Sequence, residues 1–523
     1  MNQAIYIFLF LAAVSEKLPA QSWIKIYNSM NCWADYVIEN YDKGYLILGT
    51  RFDAKYGWII KTDINGNMLW NKKIGNGIYL VAPRNIERTL DNGYIIGGTT
   101  TVINNQEDPF LLKLNSCGEV DWCKVIHTAS VGYDLGEEVK QTPDGGYVLL
   151  GMMNDNIETH RIHLFRFDSG GDLLWHHYYL PDSLLFSEEA SRLIIDEDGY
   201  IITGSGYFPD PGQPGGWLRP YFIKTDTAGN PLWKLVYVGN NYYHGDAVSS
   251  MVSSSGNYYS AGRHLGTNGD SPALIKYLHN GTPSYNADLI SNSYLGLATN
   301  VTIKDDTTLI FSGGWSFSNI SIVGLIKSDT SGNVLKTKQL ITGYGEVITS
   351  TAKTFDNKFV SVMTHCPGST CAIYAFKVNG SLEWDSIYTF PFTYDSLCPY
   401  PIVSDTLDLN CTTVGIEAPD ENSETTKLKV YPNPASGKII VEFPKYLALK
   451  SNMPGLQSTA IYHQWRSTIF EVYDLNGKVI FSKEIPKDQA TLELYVSGWL
   501  RGMYLFRLRY KEQPVAGEKV IIK

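Results

Sequence analysis

Short apolar runs bounded by Gly, Asn and Asp follow one another along most of the chain, and one order of runs and turns repeats. The unit is clearest where the segment DKGYLILGT is followed by WIIKTDINGNMLW. Self-similarity at a steady spacing is the signature of a repeat architecture. The first half recurs in seven copies, at Gly44-Tyr45, Gly93-Tyr94, Gly146-Tyr147, Gly199-Tyr200, Asn257-Tyr258, Thr308-Leu309 and Lys358-Phe359.

The second half of each copy contains a basic residue, a turn glycine and, four positions after the glycine, an aromatic residue in most copies. The basic residues are Lys61, Lys113, Arg166, Lys224, Lys276, Lys327 and Lys377. The glycines are Gly66, Gly118, Gly171, Gly229, Gly281, Gly332 and Gly380. The fourth position after each glycine is Trp70, Trp122, Trp175, Trp233, Tyr285, Lys336 and Trp384, so copies five and six depart from the pattern.

Each copy predicts four short strands joined by hairpin turns such as DING and DTAG. A four-stranded unit of about 50 residues has the size of a propeller blade. One blade cannot bury both of its faces, but stacking around an axis buries a continuous core, with the Trp of each outer strand between neighbours. We therefore predict an all-β fold, a roughly seven-bladed β-propeller over residues 21–390.

The segment SWIKIY, at residues 22 to 27, looks like a lone copy of an outermost strand and can close the ring against the last blade. The seventh copy has its own outer segment, LEWDSIY, so the sequence leaves open which of the two closes the circle.

The repeat resembles the Gly-Tyr and Asn-Gly-x-x-x-Trp propeller repeats of exported proteins from Bacteroidetes-type bacteria. It is also similar in architecture to quinoprotein-type propellers, but their cofactor residues have no match here, so no cofactor is predicted. Sialidase-like Asp boxes place the aromatic residue three positions after the glycine instead of four, which argues against that family.

The repeat stops near residue 390, and residues 391–426 are predicted to be a linker rich in Ser and Thr at its end. Residues 427–523 show alternating strands that predict a small Ig-like β-sandwich. This stretch resembles the type A sorting domain of the type IX secretion system. The resemblance rests on Tyr431, Pro432, Asn433 and Pro434, on Asp474 and Gly477, and on Gly502 and Tyr504.

The resemblance implies recognition by the type IX translocon and export through the periplasm to the outer-membrane surface or the medium. The alternative is an ordinary accessory sandwich used for adhesion. The N-terminus agrees with export, because the apolar run IYIFLFLAAV precedes a small residue, Ala20, and predicts a cleavable signal peptide at residues 1–20. No other stretch is long and apolar enough for a transmembrane segment, so none is expected in the mature chain.

Composition adds two constraints. The chain has 523 residues, too many for one core, and its 35 Tyr and 47 Gly favour strands and tight turns. The net charge of −10 offers no counter-charge for phosphates, which argues against a nucleic acid partner.

The seven cysteines lack the paired spacing of a zinc site and suggest disulfides in an oxidising compartment. We expect Cys117 with Cys123, Cys366 with Cys371, and Cys398 with Cys411, and Cys32 is left over. Unpaired buried thiols are the alternative.

No metal site is predicted. The acidic turns, such as Asp63 to Asn67, have Gly at the wrong position for an EF-hand loop and are interpreted as hairpins. His160 with His163, and His176 with His177, have spacings that place them on opposite faces of a strand. HExxH, GxSxG and P-loop motifs are absent, so the catalytic residues remain unknown.

The segment from residue 206 to residue 222, rich in Pro and Gly, is predicted to be the longest blade loop. Its Trp217 and Arg219 are candidate ligand-binding anchors if exposed, although Trp217 tucked against the surface is the alternative. We expect a propeller that binds a protein or glycan through its loop faces, and the rival is a secreted hydrolase or lyase that acts on polysaccharide or peptide with a site at the propeller channel. Convergent carboxylates in a deep channel would favour the enzyme, and a channel plugged by apolar side chains, with aromatic patches on a loop face, would favour the binder.

Overall fold

The computed structural model describes most of the chain from residue 23 to residue 523. The gaps are residues 28–30, 104, 129–132, 157–158, 180–187, 211–212, 237–248, 253–255, 267–268, 291–295, 318–319, 343–347, 367–369, 417–427, 444–445, 451–459, 465–467, 475–477, 487–488, 490 and 511–512. The predicted signal peptide at residues 1–20 lies outside the described residues and stays a prediction.

Seven antiparallel sheets form the blades of a propeller, and each blade begins with the strand nearest the axis. Each of these inner strands contacts the inner strands of the blades on either side, so the ring is closed. The strands of blades one and two are β2 Cys32–Glu39, β3 Tyr45–Arg51, β4 Gly57–Thr62, β5 Met68–Ile74 and β29 Asp405–Leu407 for blade one, and β6 Val81–Arg88, β7 Tyr94–Thr100, β8 Asp108–Leu114, β9 Val120–Thr128 and β30 Thr412–Ile416 for blade two. Those of blades three to five are β10 Leu135–Gln141, β11 Tyr147–Asn156, β12 Thr159–Phe167 and β13 Leu173–Tyr179 for blade three, β14 Glu188–Asp196, β15 Gly199–Asp210, β16 Gln213–Asp226 and β17 Pro231–Val236 for blade four, and β18 Ser249–Val252, β19 Asn257–Gly266, β20 Gly269–Leu278 and β21 Pro283–Asp288 for blade five. Those of blades six and seven are β22 Gly296–Asp305, β23 Thr308–Phe317, β24 Ile320–Asp329 and β25 Val334–Thr342 for blade six, and β26 Ile348–Lys353, β27 Phe359–His365, β28 Ala372–Val378 and β1 Ile24–Tyr27 for blade seven.

The N-terminal strand closes the ring. β1 pairs antiparallel with β28, with Ile24 opposite Phe376 and Tyr27 opposite Ile373. It is therefore the outermost strand of blade seven, which confirms the interpretation of SWIKIY. The residues of LEWDSIY make only an isolated bridge, between Trp384 and Val378, and the chain continues from there toward blades one and two.

The core lies between the blades, where apolar side chains of each pair of neighbours form a cluster. The repeated Trp joins these clusters. Trp122 of blade two meets Tyr147 of blade three with ring centroids 5.6 Å apart, and a side chain at Gly171 would come within 2.9 Å of the same indole. Trp175 and Trp233 dock in the same way on the blade that follows. The predicted packing of Trp between neighbouring blades is confirmed.

The repeated basic residue is also structural. Lys61 is fully buried, and its Nζ lies 2.5 Å from the carboxylate of Asp42, in the turn that precedes the Gly-Tyr dipeptide of the same blade. Arg166 pairs with Asp144 at 2.6 Å in the equivalent place in blade three. Because a buried charge without a partner is strongly destabilising, each pair fixes the turn to the strand behind it.

Part of the expected linker is attached to the propeller. β29 pairs in parallel with β5, and β30 pairs in parallel with β9, which extends blades one and two at their outer edges. Lys72 Nζ lies 2.8 Å from the carboxylate of Asp405, and Trp70 Nε1 donates to Asp395 at 2.9 Å. We call residues 391–416 the strap. Exposed strand edges accept such pairing, but strands this short leave no periodic pattern in a sequence.

Two disulfides fasten the strap, and they correct two predicted pairings. Cys117 bonds to Cys398 and Cys123 bonds to Cys411, whereas Cys366 bonds to Cys371 as expected. The physical reason is the register of β30, which places Thr412 opposite Lys124 and therefore Cys411 beside Cys123. Cys32 is a free, buried thiol.

The C-terminal residues form a separate β-sandwich around one apolar cluster. Strands β33 and β34 pair with each other as an antiparallel hairpin. The strands are β31 Lys429–Tyr431, β32 Lys438–Glu442, β33 Tyr446–Lys450, β34 Ala460–Gln464, β35 Thr468–Tyr473, β36 Val479–Ile485, β37 Thr491–Tyr495, β38 Gly502–Tyr510 and β39 Gln513–Ile522. None of the described residues belongs to a helix long and apolar enough to cross a membrane.

Candidate functional site

The inner strands line a central channel, and most of them contain a bulge at the same height. In blades one, two, three, four, six and seven, the pairing with the second strand skips one residue. A bulge inserts an unpaired residue and redirects its side chain. The skipped residues are Asp35, Arg84, Glu137, Ser191, Thr299 and Thr349.

A cavity of about 620 Å³ occupies the channel between these bulges and the turns that end the inner strands. A second cavity of about 540 Å³ overlaps it at the mouth and adds Glu39 and Tyr41. This size falls within the range of small-ligand sites. We call the two together the channel cavity. Its ionisable lining residues are Tyr36, Glu39, Tyr41, Glu87, Arg88, Glu138, Lys140, Arg192 and Lys353.

Glu138 is the best connected of these side chains. Its carboxylate accepts a hydrogen bond of 2.6 Å from the backbone N–H of Leu193 in blade four and lies 3.2 Å from Lys140 Nζ in its own blade. The hydroxyl of Tyr36, from blade one, lies 3.5 Å away. One buried carboxylate therefore links three blades at the wall of the cavity.

The electrostatics around Lys140 follow from these neighbours. Burial alone would lower the pKa of Lys140, but the Glu138 carboxylate, together with Tyr36 and Glu87, outweighs burial and raises it. Burial raises the pKa of Tyr36 and of Glu87. At neutral pH, Lys140 is a cation and Tyr36 is a neutral hydrogen-bond donor.

Two further carboxyl groups lie at the bulges. Burial raises the pKa of Asp35 to about 7, although Thr50 Oγ1 donates a hydrogen bond of 2.7 Å to it. Burial also raises the pKa of Glu137, and Arg84, which favours both charged forms, does not offset the effect. Carboxyl groups with raised pKa values in a channel can hold or donate a proton near neutral pH.

The predicted loop from residue 206 to residue 222 is instead a hairpin formed by the ends of β15 and β16, in which Phe208 pairs with Trp217. Arg219 is only 4% exposed, so it is not an exposed anchor. The Trp217 side chain lies outside the described residues, and a binding role for it stays a prediction. A loop was predicted here, and not a hairpin, because Pro and Gly usually form turns.

The histidines and acidic turns have structural contacts. His163 Nδ1 and His176 Nε2 are 2.7 Å apart across β12 and β13, and burial lowers the pKa of His176 to about 2. Asp196, Asp198 and His279 lie close enough together to hold a metal, but Lys224 Nζ is only 2.6 Å from the Asp196 carboxylate. Lys224 is the repeated basic residue of blade four, so this group matches the buried ion pairs of the other blades.

In the C-terminal sandwich, residues of the predicted sorting motif make hydrogen bonds that fix its strands and turns. Asn433 donates from Nδ2 to the carbonyl of Lys519 at 2.8 Å and accepts from the N–H of Ile521 at 3.0 Å. Tyr504 donates to the carbonyl of Leu500 at 2.6 Å, and the backbones of Asp474 and Lys478 pair across their turn. Gly477 lies outside the described residues.

Residues 429–523 match the family described as the secretion system C-terminal sorting domain. The tail is a type IX sorting domain. The chain is therefore cargo of the type IX secretion system and is exported to the cell surface or secreted. In this sorting domain, the predicted Tyr-Pro-Asn-Pro motif fastens the last strand, because Asn433 bonds to a carbonyl and an N–H on one edge of that strand.

No curated protein matches the chain by sequence. Among solved structures, it is similar to puromycin hydrolase, with 10% identity and a TM-score of 0.46 over 78% of this chain and 58% of that one. It is also similar to the polysaccharide lyase Uly1, with 7% identity and a TM-score of 0.42 over 66% and 89%. The Drosophila Semaphorin 1a extracellular domains show 8% identity and a TM-score of 0.43 over 68% and 88%. These similarities concern the fold alone, and the chain spans 58% of the length of puromycin hydrolase.

Proposed function

We propose that the exported propeller binds a glycan or protein ligand in the channel cavity. The observation that carries the proposal is a cavity of ligand size whose wall combines charged side chains with hydroxyl and amide groups. A site built on inner strands that are bonded to one another is rigid before a ligand arrives, and this preorganisation favours binding.

The position of the site is tested with two matched variants of the full chain. Leu90 is 73% exposed at the mouth of the cavity, and Ile78 is 72% exposed outside it, in the connection between blades one and two. We expect Leu90→Trp to narrow the mouth and weaken binding of ligands found on glycan and protein arrays. We expect Ile78→Trp to bind normally. Equal binding by both variants would place the site elsewhere.

A second candidate function is hydrolysis or elimination on a polysaccharide or peptide. It is favoured by the open channel with carboxyl groups on its wall, the arrangement expected for an enzyme, and by the raised pKa values of Asp35 and Glu137 in that channel. If the chain turns over an array ligand, Asp35→Asn should abolish turnover and leave binding intact, because the amide retains an oxygen for Thr50. Undiminished turnover by Asp35→Asn would remove Asp35 from the reaction.

A further inference from the structure

The charges of the channel cavity do not balance. Its lining contains four cations, Arg88, Lys140, Arg192 and Lys353, and three carboxylates, Glu39, Glu87 and Glu138. The chain as a whole carries a net charge of −10. The excess of one positive charge belongs to the cavity lining, because Asp35, Glu137 and Arg84 lie at the bulges outside it.

The three carboxylates already serve the propeller itself. Glu87 accepts the backbone N–H of Gln141 in the next blade at 2.9 Å, and Glu39 accepts that of Phe355 in blade seven at 3.0 Å. Glu138 accepts the N–H of Leu193, as described above. Each carboxylate thus joins two blades, and its negative charge is partly offset by a backbone dipole.

Among the described residues, Lys140 is the one lining cation with a carboxylate at ion-pair distance, and Arg192 acts on Glu137 through its charge without a direct ion pair. Arg192 donates to the carbonyl of Ser191 at 2.9 Å, and Lys353 Nζ donates to the carbonyl of Lys304 at 2.7 Å. Among the described residues, neither has a carboxylate at ion-pair distance. Arg192 belongs to blade four and Lys353 to blade seven, the largest separation within a ring of seven, so they lie on opposite sides of the cavity.

The uncharged part of the lining combines apolar side chains, such as Val37, Leu193 and Ile195, with several polar ones. Asn300, Thr302, Ser350 and Thr351 come from blades six and seven, and the hydroxyl of Tyr36 comes from blade one. Hydroxyl and amide groups are suitable partners for the hydroxyls of a sugar, and an aromatic ring adds apolar contact area. The guanidinium of Arg matches the two oxygens of a carboxylate or sulfate.

From these features we infer that the ligand of the channel cavity is an acidic oligosaccharide, whose carboxylate or sulfate groups bind Arg192 and Lys353 from opposite sides. The inference rests on the proposed function and names the class of ligand. The uncharged hydroxyls of the oligosaccharide contact the amide and hydroxyl groups of blades six and seven.

The test is titration calorimetry on the purified full chain with four probes: oligogalacturonate, heparin oligosaccharide, galactose oligomers of matching length and oligoglutamate. We expect at least one of the two acidic oligosaccharides to bind and to weaken as salt rises. Arg192→Gln and Lys353→Gln should each weaken binding about tenfold. Arg51→Gln is the matched control, because Arg51 is an exposed cation paired with Asp53 outside the cavity.

Each other outcome overturns the inference in a recognisable way. If galactose oligomers bind equally well, or oligoglutamate binds more tightly, the ligand is not an acidic glycan. The channel site is still supported in that case if Leu90→Trp weakens the binding of these probes. Failure of both acidic oligosaccharides to bind would reject the ligand class. Binding unaffected by Leu90→Trp would reject the channel site as well. Lys353 is exposed, so its variant folds even if Arg192→Gln does not.

Discussion

Glu138 accepts a hydrogen bond of 2.6 Å from the backbone N–H of Leu193, and this bond joins blades three and four at the wall of the channel cavity. Asn85 does the same between blades two and three, since its side chain bonds to both the N–H and the carbonyl of Val139. Polar side chains that follow the bulges therefore hold neighbouring inner strands in register. The cavity owes its shape to bonds between blades.

Glu138→Gln tests this connection. The amide oxygen still accepts from Leu193, but Lys140 loses its nearest negative charge in a buried site. We expect the free energy of unfolding to fall by about 2 kcal/mol in urea titration, in line with the loss of one member of a buried ion pair. Glu119→Gln is the control, because Glu119 is exposed and the buried Lys72 keeps Asp405 at 2.8 Å, so stability should change by less than about 1 kcal/mol. Equal effects would deny Glu138 a special role.

The pH dependence of stability tests the environment of Asp35. Its pKa rises from 3.8 to about 7 on folding, so between these values the unfolded chain loses the proton while the folded chain keeps it. The unfolded state therefore binds fewer protons, and stability contributed by Asp35 falls as pH rises through this window. Asp35→Asn should flatten the difference in stability between pH 4.5 and pH 7, measured by urea titration at each pH. Parallel profiles for the two proteins would show that Asp35 is not perturbed.

The Trp-on-Gly contact between blades is tested by a pair of glycine variants. Gly171 and Gly145 both have positive φ, 80° and 87°, but only Gly171 faces an indole, that of Trp122 at 2.9 Å. Gly145→Ala should cost about 1 kcal/mol from backbone strain alone. Gly171→Ala should cost clearly more, because the new methyl group displaces Trp122. Thermal denaturation of both variants measures the difference. Equal losses of stability would show that Trp122 can move aside without a cost in free energy.

The strap is tested by removing its disulfides. Cys398→Ser with Cys411→Ser should lower the free energy of unfolding by about 2–4 kcal/mol, because both bonds close long loops. Cys366→Ser with Cys371→Ser is the control, since these residues are only 5 apart in sequence and a short loop restricts the unfolded chain less. Mass mapping of the unreduced chain should find peptides of Cys117 joined to Cys398. A peptide joining Cys117 to Cys123 would contradict the strap.

Export is tested by deleting the sorting domain. A chain without residues 427–523 should accumulate in the periplasm, and surface fractionation with an antibody to the propeller measures this. Asn433→Ala in the full chain should show a milder defect, because it frees one side of the last strand. Normal surface display of the truncated chain would refute the role of the domain.

The sequence predicts the repeated parts of this fold well, because each blade repeats one solution to the same packing problem. Tyr147 and Trp122 recur in other copies, so their inter-blade contact is visible as a pattern. The strap occurs once, and the register of its pairing with β9 cannot be inferred from the repeat. The predicted pairing of Cys398 with Cys411 failed for that reason.

The candidate site was missed because its residues differ from copy to copy. Asp35, Arg84 and Glu137 each lie nine residues before the glycine of the Gly-Tyr dipeptide, at Gly44, Gly93 and Gly146. Aligning the copies on that glycine would have placed the three side chains at one height of the channel. A bulge at this position also alters the strand alternation from which an inward direction is normally inferred.

The central claim, that the channel cavity is the binding site, is tested most directly by hydrogen–deuterium exchange of the full chain with and without a ligand found on the arrays. We predict slower exchange in the inner strands that line the cavity, those of blades one to four, six and seven, and unchanged exchange in the hairpin from residue 206 to residue 222. Protection confined to that hairpin, with the inner strands unchanged, would contradict the account.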